Sequence, residues 1–399
     1  VETAVPLAGS NVSQVLFGSV DSSPASAAAF HGPEIYSYRT RHFLIQPITH
    51  PSRATVNRLE SRGIRTLGYV PGGGLLVSAD LDAALDAADI RWAGAILGSD
   101  KFEPGFEESP TGHYVVEFYP DVDMAEARGL LAATGLVHKD NPDLLRNQLL
   151  AAASLAQLQA IADEDIVSFI YAAIPELVAG TPVMACAGPA IDIAPIAAIA
   201  VTSVGEGWDG PGKGTGAIKY FFGALTARMT NAQVKQDFVR ALTEWTRYAR
   251  LDFTESNRAG LEQSIDLLFA SGTHNDPYPF DGRGTVLAHT FYPAPPNAEP
   301  LAGDMHFDDD EPWTSGGAID FFSTTLHELG HALGIGHINT AGAVMYPFYR
   351  KVTVLGQPDI DAVRTLYAEG TGSVTPAPSG DTPPVDPPPP AAPAAVTLR

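Results

Sequence analysis

The run His327-Glu328-Leu329-Gly330-His331-Ala332-Leu333-Gly334-Ile335-Gly336-His337 constrains this chain more than any other segment. Residues four apart on an α-helix leave from one face, so the imidazoles of His327 and His331 can close on a single metal ion. Glycine at 334 lets the helix stop and the chain turn, which brings His337 round as a third nitrogen ligand. Three neutral imidazoles plus one open position describe the tetrahedral site of a catalytic zinc. Glu328 lies beside the first ligand, where a carboxylate can take a proton from water at the metal. Five fixed positions in eleven residues make coincidence a poor account of the pattern.

Six of the eleven histidines fall between 274 and 337, and three of them lie upstream of that helix. His274, Asp276, His289 and His306 supply three imidazoles and a carboxylate. Four protein ligands with no vacancy for water describe a closed, structural zinc. Between and after them stand Phe280-Asp281-Gly282-Arg283-Gly284 and Asp308-Asp309-Asp310-Glu311. Carboxylates mixed with turn glycines, whose carbonyls are free to point inward, make the hard oxygen cages that calcium prefers.

Composition narrows the setting. A net charge of -22 makes nucleic acid an unsuitable partner. With Cys186 as the only cysteine, no intrachain disulfide can form. The longest apolar stretch, residues 191–204, is interrupted by Asp192 and Pro195, so no membrane span is expected. The first residue is Val1 rather than Met, which suggests a removed signal peptide and a secreted protein.

The 399 residues divide by pattern. Residues 1–40 read as a poorly ordered leader rich in Ser, Ala and Gly. Strands at 42–45, 66–70, 74–78 and 90–95, with helices at 54–62 and 81–88, give a first subdomain over 41–110. A second, over 111–177, has strands at 113–119, around 148–153 and at 166–172, with helices near 124–134 and 155–162. The plan of both is the split βαβ, ferredoxin-like arrangement. Residues 178–205 form a connector and 206–370 a third domain. There, strands are expected at 217–222, 264–269 and 285–291. Asn231 would cap a helix with Val234, Phe238, Leu242 and Trp245 on one face, and a last helix spans 359–367. The Pro-rich residues 371–399 read as a stiff linker or tail.

The N-terminal plan, with Gly63-Ile64-Arg65-Thr66-Leu67-Gly68-Tyr69-Val70-Pro71 as its second strand, resembles the inhibitory propeptides of subtilisin-like proteases. Two packing domains without an inhibitory role fit the same pattern. The segment 206–370 resembles a matrixin, the matrix metalloproteinase branch of the metzincins. The zinc helix, the upstream zinc and calcium segment and Val344-Met345-Tyr346-Pro347 carry that resemblance. The astacin branch, with tyrosine where Pro347 stands, fits less well.

The matrixin resemblance implies an α+β fold, a twisted and mostly parallel five-stranded sheet with three helices. It implies His327, His331 and His337 on the catalytic zinc, Glu328 as general base and acid, and Met345 in a turn beneath the metal. His274, Asp276, His289 and His306 would hold the structural zinc. Asp281, Gly282, Gly284, Asp308 and Glu311 would hold calcium, and Asp266 and Asp304 match part of a second calcium site beside a lengthened loop at 293–301. Matrixin precursors place a cysteine on the zinc, and Cys186 stands in the connector, without the family's Pro-Arg-Cys-Gly surroundings. The function expected is that of a secreted, monomeric zinc endopeptidase made as a latent precursor, cleaving proteins or peptides through zinc-activated water. Pro347-Phe348-Tyr349 would wall the pocket beyond the scissile bond. The alternative is a catalytically silent, metal-stabilised binding module.

Overall fold

The structure, a computed structural model, describes residues 41–377 except 50, 71–72, 80–89, 103–105, 142–143, 182, 185–188, 191–206, 211–212, 285, 295 and 339. The leader at 1–40, the helix expected at 81–88, Cys186 and the tail beyond 377 therefore lie outside the described residues.

The first unit contains β1 (His42–Pro47), α1 (Arg53–Glu60), β2 (Ile64–Val70), β3 (Gly74–Ala79) and β4 (Ile90–Ala95), in an antiparallel sheet ordered β2-β3-β1-β4. The second contains β5 (His113–Phe118), α2 (Met124–Ala133), β6 (Val137–Lys139), β7 (Gln148–Ala152), α3 (Leu155–Ala162) and β8 (Val167–Ala172), ordered β6-β7-β5-β8. Both orders put the first strand beside the fourth and third, the order that a split βαβ chain generates. β6 was not expected from the sequence. Its two outer residues are exposed, so it carries no apolar signature.

The β5 strand buries both of its faces. Tyr114, Val116 and Phe118 meet the unit's own helices, through Ala127, Leu131, Leu158 and Ile161. Leu44, Leu67, Val70 and Leu76 of the first unit join the same core, so the two units are packed together. Val115, on the opposite face, belongs to another cluster described below.

After α4 (Pro175–Ala179) and the two-residue strand β9 (Pro189–Ala190) comes the larger sheet. Its elements are β10 (Gly216–Phe222), α5 (Asn231–Thr246), β11 (Leu251–Glu255), β12 (Ser264–Ala270), β13 (Ala288–Phe291), β14 (Met305–Asp308), α6 (Phe321–Ala332), α7 (Gln357–Leu366) and β15 (Ser373–Thr375). The order is β15-β11-β10-β12-β14-β13-β9, and only the β13–β14 pairing is antiparallel.

The sheet thus has seven strands rather than five. β15 is drawn from residues read as tail and β9 from the connector, and each satisfies the open hydrogen-bonding edge of its neighbour. The strand expected over 285–291 begins as a ladder at Ala288. β11 and β14 were not anticipated. β14 carries His306 and Asp308.

The three expected helices are α5, α6 and α7. Asn231 is the first helical residue of α5, and the cap is Thr230. Its hydroxyl accepts from the Gln233 backbone N–H, while the Gln233 side chain accepts in return from Thr230, a capping box. On α5, Val234, Phe238, Leu242 and Trp245 are fully buried against the sheet and α6. The Trp245 indole N–H donates to the Leu326 carbonyl, tying α5 to the zinc-motif helix.

Candidate metal centre and active site

All twelve residues of α6 are buried. Among them Gly330 leaves room for Met345: a Cβ added there would lie 2.1 Å from its sulfur. The helix ends at Leu333, and Gly334 follows with φ +98°, a left-handed conformation that favours glycine. The Ile335 N–H returns to the Gly330 carbonyl, and the reversed chain carries His337 back towards the helix.

The three imidazoles then converge. Ring centroids lie 4.8 Å apart for His327 and His331, 4.9 Å for His331 and His337, and 5.3 Å for His327 and His337. Nδ1 of His327 is 2.7 Å from the Val344 carbonyl, and Nδ1 of His331 is 2.7 Å from that of Ile335. A carbonyl can only accept, so both Nδ1 atoms carry the proton and both neutral rings turn a bare Nε2 inward. Nε2 of all three rings is buried without a hydrogen-bond partner. Burial holds His327 down to about 4 and His337, which also faces His327, down to about 3. Burial, then His327 and His337, hold His331 well below its ordinary range. Three neutral, orphaned lone pairs aimed at one point are the donor set that a zinc ion satisfies.

Glu328 is fully buried, and its Oε2 accepts from the Thr290 hydroxyl at 2.6 Å. Thr290 belongs to β13 and was not singled out from the sequence, where threonine in a strand carries no signal. Asp359 of α7 was also missed. Its carboxylate accepts from the Val344 and Met345 backbone N–H groups at 2.9 and 3.0 Å and so holds the turn beneath the three imidazoles. Leu287, Ser323, Thr324, His327, Glu328 and the run Tyr346-Pro347-Phe348-Tyr349-Arg350 line a cavity beside this centre.

The second cluster gathers on one atom. Asp276 Oδ2 lies 2.9 Å from His274 Nε2, 3.0 Å from His289 Nε2 and 2.6 Å from His306 Nδ1. Despite its burial, hydrogen bonds from His289 and His306 hold the Asp276 carboxyl well below its usual range. Four donors come from a loop, β13 and β14 to one point, a closed set with the composition of a structural zinc site. Among the described residues these two sets are the ones whose ligand atoms all lie within 4.8 Å of each other.

The acidic sets are looser. Asp308 is fully buried with Oδ2 unpartnered, and burial followed by Asp310 and Asp281 pushes its carboxyl up. Glu311 accepts from the Gly284 N–H and is also pushed up, first by burial and then by Asp308. Gly282 and Gly284 both have positive φ, which lets the chain wrap round this point. Elsewhere, Asp304 is raised to about 8 by burial and by the neighbouring Asp266 and Glu299. Glu299, from the loop at 293–301, was not anticipated beside them.

The open side of the centre is covered by the N-terminal units and the connector. β9 pairs in parallel with β13, Pro189 opposite Thr290 and Ala190 opposite Phe291. The Tyr349 N–H donates to the Met184 carbonyl at 2.7 Å, and Arg350 pairs with Glu176 of α4 at 3.0 Å. Tyr346 and Phe348 pack in one cluster with Val115, Leu150, Ile174 and Leu177. Tyr292, which follows β13, is fully buried in the core of the first unit.

The mostly parallel sheet, the buried helix bearing two of three convergent imidazoles and the turn around Met345 have the arrangement of a metzincin-type metalloprotease centre. Residues 212–368 match the family described as matrixin. The chain is 42% identical to mouse matrix metalloproteinase-25 over 137 residues, 32% of this chain and 22% of that protein. To the hatching enzyme of Paracentrotus lividus it is 38% identical over 163 residues, 40% of this chain and 26% of the relative. To mouse stromelysin-1 it is 38% identical over 162 residues, 39% and 33% respectively. The chain thus spans between a fifth and a third of the length of these relatives.

Proposed function

We propose that this chain is a zinc-dependent endopeptidase, exported and made as a latent precursor. The observation that carries the reading is the trio of buried, unpartnered Nε2 atoms beside a buried carboxylate. When bound at His327, His331 and His337, zinc supplies a Lewis acid for the scissile carbonyl and lowers the pKa of water to about 7.

The protein's residues do the rest. β13 binds an extended peptide through its main-chain edge, and Tyr346, Phe348 and Tyr349 wall the cavity for a side chain. Glu328, enclosed away from bulk water, takes the proton from the attacking water and returns it to the leaving amine. His274, Asp276, His289 and His306 would hold a structural zinc. Asp281, Asp308, Glu311 and the carbonyls of Gly282 and Gly284 would hold calcium, whose charge would offset the buried carboxylates; Asp266 and Asp304, joined by Glu299, make a second acidic set. Substrates are proteins or peptides, the chain acts as a monomer, and a net charge of -22 argues against nucleic acid. The complete catalytic set favours hydrolysis over a silent binding module.

One experiment with two chelators tests the metals. A zinc chelator should abolish casein hydrolysis by the processed chain. A calcium-selective chelator should lower the melting temperature before hydrolysis is lost, because a ligand bound only by the folded state stabilises it. Hydrolysis indifferent to the zinc chelator would end the zinc reading; a melting curve indifferent to the calcium chelator would end the calcium one.

Latency is read from the cover over the cleft. β9 occupies the edge that a substrate strand needs, while α4 and the outer face of β5 and β7 sit on Tyr346 and Phe348. Cys186 lies in the same connector, and a thiolate on the zinc would add to that blockade. The isolated 41–190 segment should inhibit the processed protease when added in trans, and Leu177→Asp should weaken that inhibition. An inert segment would overturn blockade by cover, and a Cys186→Ala precursor active without processing would give latency to the thiol instead.

A further inference from the structure

We propose that Thr290 is a positioning residue for Glu328, its hydroxyl holding the carboxylate through Oε2. The inference rests on the assignment of Glu328 as general base. Both side chains are fully buried, and they meet at 2.6 Å, the short range of an O–H group donating to a charged oxygen. The direction of the bond follows from chemistry, since an ionised carboxylate has no proton to give.

The strand geometry explains why the residue at 290, and not its neighbours, does this. Side chains alternate across a strand, so Thr290 faces α6 while His289 faces the Asp276 cluster. The same residue presents its main chain to the outer edge, opposite Pro189 of β9. A chain seated on β13 is therefore registered against the residue that holds the base.

Torsion about the carboxylate of a glutamate is broad and two-fold, and the bond from Thr290 to Oε2 narrows it. During hydrolysis the water oxygen bonds to the scissile carbon and its proton passes to the Glu328 carboxylate. As the C–N bond breaks, that proton passes to the leaving nitrogen. The Thr290 O–H bond stays intact throughout, so the hydroxyl orients and is not consumed.

The test compares Thr290→Val, Thr290→Ala and Thr290→Ser with wild type in the full chain, all processed identically. Valine keeps the branched shape without the hydroxyl; serine keeps the hydroxyl without the methyl. The expected result is a kcat about 10-fold lower for valine and alanine with KM within about two-fold, and near wild-type kcat for serine, at unchanged zinc content. A second arm does not need turnover. A peptidyl hydroxamate, whose hydroxyl proton is given up to a nearby carboxylate on chelation, should bind about 10-fold more weakly to the valine variant and normally to serine. Wild-type kcat and hydroxamate affinity in the valine variant would overturn the proposal, as would a serine variant as impaired as valine. Loss of hydrolysis in wild type itself would count against the endopeptidase reading, while the hydroxamate arm would still decide the role of Thr290.

Discussion

Glu328 is fully buried and accepts from the Thr290 hydroxyl, and it is not a member of the His327, His331 and His337 cluster. That separation gives a sharp expectation. Glu328→Ala removes proton transfer and leaves the imidazole trio intact, so turnover should fall by about 10²–10⁴-fold while zinc content and melting temperature hold. Retention of more than about a hundredth of wild-type kcat would remove the general-base role. The histidine cluster was the most legible part of the sequence because side-chain spacing on a helix is a local property. His327, His331 and Glu328 needed only a period of 3.6 residues, and His337 only a glycine stop. Thr290 and Asp359 were illegible for the opposite reason. Each acts on the site across 38 and 14–15 residues of chain respectively, and neither sits in a local pattern.

Among the elements, α7 has a role beyond packing. Its Asp359 enters the core fully buried and accepts the backbone N–H groups of Val344, Met345 and Gly356. A buried carboxylate that answers three donors is costly to remove, because the donors are then left unsatisfied. Asp359→Ala should therefore destabilise the fold by about 3 kcal/mol and loosen the turn over which His327 is hydrogen-bonded. Thermal melting beside zinc content checks it, and a variant with wild-type melting and metal content would show the turn holds itself. Asp359→Asn should be intermediate, since one amide oxygen remains as acceptor and the NH₂ meets a donor. Helices with a clear apolar stripe, such as α5, were readable to within a residue or two. The short strands β6, β9 and β15 were not, since two or three residues carry no period and join a sheet only where an edge awaits them.

The whole molecule is organised around contacts between its parts. His42, on β1 of the first unit, is buried against two carboxylates of the second, with Nδ1 2.9 Å from Asp165 and Nε2 3.0 Å from Asp121, and its ring stacks on Tyr119 at 4.0 Å. Burial opposes its protonation, but the two carboxylates outweigh it and raise its pKa above 6.5. In turn His42 overcomes the effect of burial on its partners, lowering Asp121 to about 2 and Asp165 below 3.8. The signs define a window. The His42 contribution is complete below pH 6.5 and is lost as pH rises through the raised value; the Asp contributions are complete above 3.8 and are lost as pH falls towards about 2. Stability of the paired N-terminal units should peak between these limits and decline on the alkaline side first. Melting of the 41–177 segment from pH 4 to 9 tests this, with His42→Gln expected to flatten the alkaline limb. An unchanged alkaline limb in that variant would rule out His42 as its source.

The sequence by itself determined the spacing that gathers His327, His331 and His337, the helices with strong apolar faces and the α+β character of the third domain, because each is written within a few turns of chain. Only the tertiary structure decided the seven-stranded width of the sheet, the hydroxyl on Glu328, the carboxylate under the Met345 turn and the cover over the cleft. These depend on which edges and faces meet after residues far apart in sequence have folded together. An exposed strand edge, a β5 with apolar residues on both faces and a lone threonine each have many possible partners in a sequence. Packing and the need to satisfy buried polar groups leave them the partners described here.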